Sequence, residues 1–178
     1  MNSILIKNIP FFFYLHQFIG TNKHINVIIY YTVLGGDFMR KNWKDYFMEI
    51  AEMVATRSTC DRAMVGCVLV NDDNRIVSSG YNGSVSGNPH CDDIGHTMRD
   101  NHCIATIHAE MNALLYCAKE GISVKNCTAY VTHFPCLNCT KALIQSGIKY
   151  IYYKNDYRID AYSLELLEKN NIGYEKIK

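Results

Sequence analysis

The pattern of apolar and polar positions predicts a helix, a hairpin and a long loop in the first part of the chain. Between residues 43 and 56, apolar side chains recur every three or four positions, which predicts an amphipathic helix. Ala63–Val70 is a nearly continuous apolar run with β-branched residues, typical of a buried strand. The turn residues at 71–74 and the stretch Arg75–Ser79 then predict a hairpin. Residues 81–103 are mostly polar and contain several glycines, so we expect a long functional loop.

Helices and strands alternate in the rest of the chain. Helix-forming residues fill 109–120 up to Gly121, a typical residue at the end of a helix, and a second helix is predicted from about Cys136 to Ser146. Further elements are predicted as strands at 127–132, 150–153 and 173–177 and as a helix at 161–169. This alternation predicts one α/β domain, a sandwich of helices around a single sheet.

The first residues do not fit this pattern. Residues 1–38 contain two apolar stretches, but the only basic residue near the start is Lys7 and no small-residue cleavage site follows, which argues against a signal peptide. Leu34-Gly35-Gly36-Asp37 can be encoded by bases that contain a bacterial ribosome-binding sequence just upstream of Met39. We therefore expect residues 1–38 to be a non-native leader or a disordered extension, and residues 39–178 to form the functional domain.

Composition narrows the classes of partner. The 178 residues have a formal net charge of +1, which provides no basic surface for a nucleic acid and favours a small substrate. No apolar run is long enough for a transmembrane helix, so we expect no membrane partner. A chain of this length does not need its eight cysteines as a disulfide scaffold, which favours a reducing cytoplasm. Cys67 and Cys117 lie within apolar patterns and are interpreted as small buried hydrophobic residues.

Two short motifs carry the chemistry: His108-Ala109-Glu110 and Pro135-Cys136-Leu137-Asn138-Cys139. One imidazole and two thiolates (His108, Cys136 and Cys139) give zinc three ligands and leave its fourth position for water, whose pKa the ion lowers to about 7. Cysteines three apart share one face of a helix, and Glu110 lies close enough to move the water proton. A closed structural zinc site is the alternative, but the chain has no second C-x-x-C and no H-x3–5-H pair after the cysteines. The combined pattern is a known signature of zinc-dependent nucleobase deaminases.

Four motifs together make the chain, from about Trp43 to Lys178, similar to the deoxycytidylate deaminases of the cytidine/deoxycytidylate deaminase superfamily. They are Arg57-Ser58-Thr59-Cys60-Asp61-Arg62, Gly80-Tyr81-Asn82-Gly83, His108-Ala109-Glu110-Met111-Asn112-Ala113 and Pro135-Cys136-Leu137-Asn138-Cys139. The resemblance implies a three-layer α/β/α sandwich around one mixed sheet of about five strands. It also implies hydrolysis of dCMP to dUMP and ammonia by a zinc-activated hydroxide, which supplies dUMP for thymidylate synthesis.

The same resemblance implies roles in substrate binding. Asn82 would contact the deoxyribose or the base, although Tyr-Asn-Gly is also a good turn. Arg62, Tyr157 and Arg158 would surround the phosphate, because guanidinium groups suit a phosphate dianion. Either arginine alone would also be read as a solvated surface charge.

The resemblance also implies an oligomeric state, nucleotide effectors and a second metal site. It implies a homo-oligomer, often a hexamer, that is activated by dCTP with Mg²⁺ and inhibited by dTTP. Some relatives carry a second, structural zinc, for which this chain offers several donors in one region: Cys60, Cys91, Cys103, His90, His96 and His102. Cys60 and Cys91 are the best matches, and spacing within a loop does not decide the other two. Free thiols, or a place for His102 in the substrate pocket, are the alternatives.

Other functions remain open from the sequence. A free cytidine deaminase would not need the arginines, and a tRNA adenosine deaminase would need a basic surface that the composition does not indicate. A riboflavin-pathway deaminase is a third enzyme of the same superfamily. A zinc-stabilised binding module without catalysis would have a closed metal site and a dispensable Glu110.

Overall fold

The computed structural model describes residues 40–178, of which Lys41–Lys178 form one unit. The predicted leader at residues 1–38 lies outside the described residues. The helices are α1 (Trp43–Ala55), α2 (Cys91–Ile94), α3 (Ala109–Glu120), α4 (Leu137–Gln145) and α5 (Ala161–Lys169). The strands are β1 (Gly66–Val70), β2 (Ile76–Tyr81), β3 (Gly83–Ser84), β4 (Met98–Arg99), β5 (His102–Cys103), β6 (Thr106–Ile107), β7 (Thr128–His133), β8 (Tyr150–Asn155) and β9 (Gly173–Lys176). None of these helices combines the length and apolar character needed to span a bilayer.

The five longer strands form the predicted mixed sheet. Their order is β2-β1-β7-β8-β9, in which β1 runs antiparallel to β2 and β7, whereas β7, β8 and β9 are parallel. The hairpin of β1 and β2 and the alternation of later strands and helices are as the sequence predicted. Parallel strands place their carboxyl ends at one edge of a sheet, where binding sites of such folds commonly lie.

The sheet has a hydrophobic core on each face, because successive residues of a strand point to opposite sides. Val68 and Val70 of β1 pack with α1 residues such as Phe47, whereas Cys67 and Leu69 pack on the other face with α3. The continuous apolar run that predicted β1 therefore reflects burial on both faces. Helices on both sides of one sheet give the predicted three-layer α/β/α sandwich.

Helix α3 lies unusually close to β2. A Cβ atom on Gly80 would be only 2.3 Å from the carbonyl oxygen of Ala109, so only glycine fits between strand and helix. The side chain of Asn112 donates a hydrogen bond to the carbonyl of Tyr81 at 2.7 Å, which holds the first turns of α3 to the same strand. These contacts fix the start of the helix that carries the first zinc motif.

The sequence prediction was incomplete for residues 81–103. Instead of one loop, the structure contains α2 and two pairs of very short strands, β3 with β6 and β4 with β5. Elements of two to four residues are too short to produce a recognisable periodicity. Strand β1 also begins at Gly66 and not at Ala63, and just before it the Val65 N–H donates a hydrogen bond to the side-chain oxygen of Asn82 at 2.7 Å.

Candidate active site

The two zinc motifs lie at the starts of two helices. His108 is the N-cap residue of α3 and Cys136 is the N-cap residue of α4, both with extended backbone. Neither side chain accepts a capping hydrogen bond from its own helix. Helix N-termini carry partial positive charge, which favours a thiolate over a thiol at Cys136. The sequence therefore places the Cys136 sulfur where the partial positive charge of the helix stabilises its anionic form.

The three predicted metal ligands come together in space. The Nδ1 atom of His108 lies 3.5 Å from the Sγ atom of Cys136 and 3.5 Å from the Sγ atom of Cys139. Tetrahedral zinc with bonds of about 2.0–2.3 Å separates its ligand atoms by about 3.5 Å, so this donor set fits the ion. Among the described residues the set contains only these three donors. An ion bound here would keep one position for a ligand from solution.

Electrostatic interactions in the set favour an anionic sulfur. Hydrogen bonds from the Cys139 thiol and from His108 lower the pKa of Cys136 to about 4, although burial opposes this. Sharing a proton with Cys136 raises the pKa of Cys139 well above its usual range, and burial adds to the shift. The hydrogen bond to Cys136 also raises the pKa of His108. The site therefore combines a thiolate at Cys136 with protons on Cys139 and His108. A bound divalent cation would displace these protons.

Glu110 lies in the first turn of α3 and is almost completely buried, with 4% of its surface exposed. It lines the same cavity as His108 and Cys136. Burial raises the pKa of its carboxyl group, which the neighbouring charge on His108 partly offsets. A carboxyl group with a raised pKa next to an activated water can both accept and return a proton.

The cavity brings together most of the predicted substrate contacts. Asn82, Arg62 and Tyr157 line it with Glu110, whereas Arg158 lines a neighbouring groove that shares Tyr157. Asn82 is buried and its Oδ1 atom is already bonded to a backbone N–H, which leaves its amide NH₂ for a ligand. Arg62 is exposed and donates a hydrogen bond to the carbonyl of Asn101 at 3.3 Å. The guanidinium of Arg158 lies 5.6 Å from the centre of the Tyr157 ring.

Several further residues line the cavity but were not predicted from the sequence, among them Thr106, His133 and Phe134. His133 ends β7, Phe134 is fully buried, and burial lowers the pKa of His133. The His133 ring contacts the Tyr157 ring edge-on, with centroids 6.0 Å apart. Their position directly before Pro135, at the carboxyl end of a central strand, was the signal that would have identified His133 and Phe134.

A second group of donors lies in the region of the predicted loop. Cys60, Cys91, His96 and Cys103 have ligand atoms within 4.8 Å of one another. The Sγ atom of Cys60 is 3.6 Å from Nδ1 of His96, and the Sγ atoms of Cys91 and Cys103 are 3.7 Å apart. The group thus contains His96, and neither His90 nor His102 belongs to it. Four donors match a closed structural zinc site, in contrast to the three at the first motif.

The chain is similar to proteins of known function along most of its described length. Residues 41–155 match the family model described as the cytidine and deoxycytidylate deaminase zinc-binding region. ComE operon protein 2 of Bacillus subtilis is 46% identical over 139 residues, which cover 78% of this chain and 73% of that protein. The deoxycytidylate deaminase of Saccharomyces cerevisiae is 36% identical over 142 residues, which cover 75% of this chain but only 44% of the yeast protein.

A solved structure supports both the fold and the family. The dCMP deaminase of the cyanophage S-TIM5, crystallised in complex with dCMP and dUMP, superimposes with a TM-score of 0.67 at 32% sequence identity. The aligned region covers 78% of this chain and 99% of the phage protein. The similarity to deoxycytidylate deaminases that the four sequence motifs indicated is confirmed, as is the predicted fold. The chain belongs to the cytidine and deoxycytidylate deaminase zinc-binding family of enzymes.

Proposed function

We propose that this protein hydrolyses dCMP to dUMP and ammonia and thereby supplies dUMP for thymidylate synthesis. The observation that carries the proposal is one cavity that combines the three-donor metal site, the buried Glu110 carboxyl group and the Asn82 amide. The substrate is supported by curated relatives that are deoxycytidylate deaminases and by the phage enzyme solved with dCMP and dUMP.

The mechanism assigns one task to each group. His108, Cys136 and Cys139 would hold zinc, which when bound supplies an activated water as the nucleophile. Glu110 accepts a proton from this water and passes it to the ring nitrogen beside the carbon that carries the amino group. The regenerated carboxylate then takes the proton of the hydroxyl group now attached to that carbon and delivers it to the amino group, so that the carbon–nitrogen bond breaks and water and dCMP become dUMP and ammonia. Its burial keeps this proton away from bulk solvent.

The phosphate is assigned to the rim of the cavity. Arg62 and Tyr157 line the cavity, and Arg158 follows Tyr157 in the adjoining groove. The structure therefore supports Arg62 as a direct contact, and Arg158 as a contact only if the phosphate extends past Tyr157. Guanidinium groups bind phosphate oxygens through paired charge-assisted hydrogen bonds.

Replacing Arg62 with alanine is expected to raise KM for dCMP by about 10- to 100-fold, because a hydrogen bond to a charged group contributes about 1.5–3 kcal/mol. The loss of ultraviolet absorbance during dCMP conversion measures the effect. Arg75→Ala, an exposed arginine in the turn between β1 and β2, serves as the control and should leave KM unchanged. Turnover of deoxycytidine as efficiently as dCMP would contradict both the phosphate assignment and the choice of substrate.

We propose in addition that Cys60, Cys91, His96 and Cys103 hold a second, structural zinc. The support is the number of donors, their mutual distances and the carboxylate of Asp61, whose Oδ1 lies 3.0 Å from Nε2 of His96. A carboxylate on the outer nitrogen of a histidine is typical of zinc sites. Closure of this site by protein donors leaves no position for a substrate.

Metal analysis of the purified protein is expected to find two zinc ions per chain, and Cys91→Ala should reduce this number to one. Cys117→Ala, which removes a buried cysteine of α3 outside both groups, should retain two. One zinc ion per chain in the parent protein would remove the second site.

Several expectations extend the proposal. Family membership implies a homo-oligomer such as a hexamer, activation by dCTP with Mg²⁺ and inhibition by dTTP, whereas cysteine usage favours a cytoplasmic location and the sequence before Met39 favours a leader over residues 1–38. Light scattering tests the first, and assays of dCMP conversion with and without each nucleotide test the second and third. Mass spectrometry of the native N-terminus tests the leader, since a peptide from residues 5–30 would contradict it.

A further inference from the structure

His102 lies between the two groups of metal donors. It belongs to β5, which pairs with β4 through Met98 opposite Cys103 and Arg99 opposite His102. Successive residues of a strand point to opposite sides, so two neighbours can reach two different sites. Cys103 belongs to the second group of donors, and His102 lines the cavity of the first.

His102 contacts the outer nitrogen of the metal ligand His108. While Nδ1 of His108 faces the two cysteines, its Nε2 atom lies 3.3 Å from Nε2 of His102. The two ring centroids are 5.5 Å apart and the rings are tilted by 64°. A ring nitrogen that binds metal offers a lone pair, so the hydrogen of the neutral His108 ring must be on Nε2. In this state His108 donates and His102 accepts.

The second group of donors repeats this arrangement with a different partner. Nδ1 of His96 faces Cys60, and its Nε2 lies 3.0 Å from the carboxylate of Asp61. In both groups the histidine directs Nδ1 towards the cysteines while another side chain contacts Nε2. Such partners of the outer nitrogen fix the tautomer and the orientation of metal-binding histidines.

We propose that His102 is a positioning residue for the catalytic metal site: it accepts a hydrogen bond from Nε2 of His108 and so holds Nδ1 in the direction of the zinc. The proposal rests on the zinc site of the proposed function but not on the identity of the substrate. Because Cys103 follows His102 directly, the second group of donors anchors the strand that holds His102 in place.

Two substitutions separate the hydrogen bond from the volume of the ring. His102→Leu fills similar space without an acceptor, whereas His102→Gln keeps a carbonyl oxygen at about the reach of Nε2. Competition with a coloured zinc chelator measures how tightly each protein retains its metal. We expect His102→Leu to weaken binding of one zinc ion by about 10- to 100-fold, and His102→Gln to restore most of it. His90→Leu, at an exposed position outside both groups, should behave like the parent.

Steady-state kinetics provide a second test, because loss of a direct substrate contact would change KM whereas loss of metal would change kcat. With subsaturating free zinc, His102→Leu should lower kcat for dCMP while KM stays within about threefold of the parent value. Parental zinc retention in His102→Leu, or equal zinc loss in the leucine and glutamine variants, would overturn the proposal. An increase in KM with zinc fully retained would also overturn it, because His102 would then bind substrate. A parent protein without zinc at His108 would refute the proposed function itself, which the same titration reveals.

Discussion

Glu110→Gln is expected to lower kcat for dCMP deamination by about 100- to 10,000-fold while the zinc content stays the same. Glutamine has nearly the shape of glutamate but cannot accept the proton of water or return it to the departing amine. Glu110 is not one of the three donors, so its loss should leave the metal in place. Absorbance assays at saturating dCMP measure kcat, and elemental analysis of the same sample measures zinc.

A second glutamate of the same helix provides the matched control. Glu120 is exposed at the end of α3, far along the helix from the cavity, and Glu120→Gln should retain parental turnover. Undiminished activity of the Glu110 variant, with zinc bound, would rule out the proton-transfer role.

Cys139→Ala is expected to remove one zinc ion per chain and to reduce activity by at least about 1,000-fold, since a catalytic metal contributes several kcal/mol. Cys139 is 1% exposed and is one of the three donors that the described residues bring together at this site. Two remaining donors form a much weaker site. Elemental analysis and the dCMP assay measure the two effects, and circular dichroism confirms that the variant is folded.

Cys127→Ala tests whether loss of any buried cysteine has the same result. Cys127 is also 1% exposed, but it packs in the hydrophobic core and lies outside both groups of donors. It should retain all zinc and activity at a cost of about 1 kcal/mol in unfolding free energy. If Cys139→Ala retained the parental zinc content, the proposed ligand set would be wrong.

The sequence predicted best those features that depend on neighbouring residues. Helix α3 occupies the predicted residues 109–120 because strong helix formers end at Gly121, whose φ of 68° is readily adopted by glycine. The first zinc site was equally accessible, since His108 and Glu110 are two residues apart and Cys136 and Cys139 three, so each pair lies within one helical turn. The alternation of elements was sufficient to predict the layered α/β fold.

Features that depend on contacts between distant segments of the chain could not be predicted from the sequence. Cys60 and His96 are 36 positions apart, and only the folded path through α2 and β5 brings His96 rather than His90 or His102 to the cysteines. Arg62 and Arg158 were assigned together to the phosphate, but the structure places Arg158 in the adjoining groove. The conformation of each connecting segment decides such differences, and residue type alone carries no information about it.

Gly80 shows how an enzyme's chemistry can depend on a residue that never meets the reactants. The absence of a side chain there lets β2 and α3 touch through their backbones, and the first turn of α3 carries His108 and Glu110, which we propose bind the metal and transfer the proton. A methyl group added at Gly80 would therefore push the start of α3, and with it His108 and Glu110, out of position. Efforts to change the base that the enzyme accepts should therefore leave Gly80 unchanged and vary residues on the other side of the cavity. The neighbouring Ser79 is exposed and tolerates substitution.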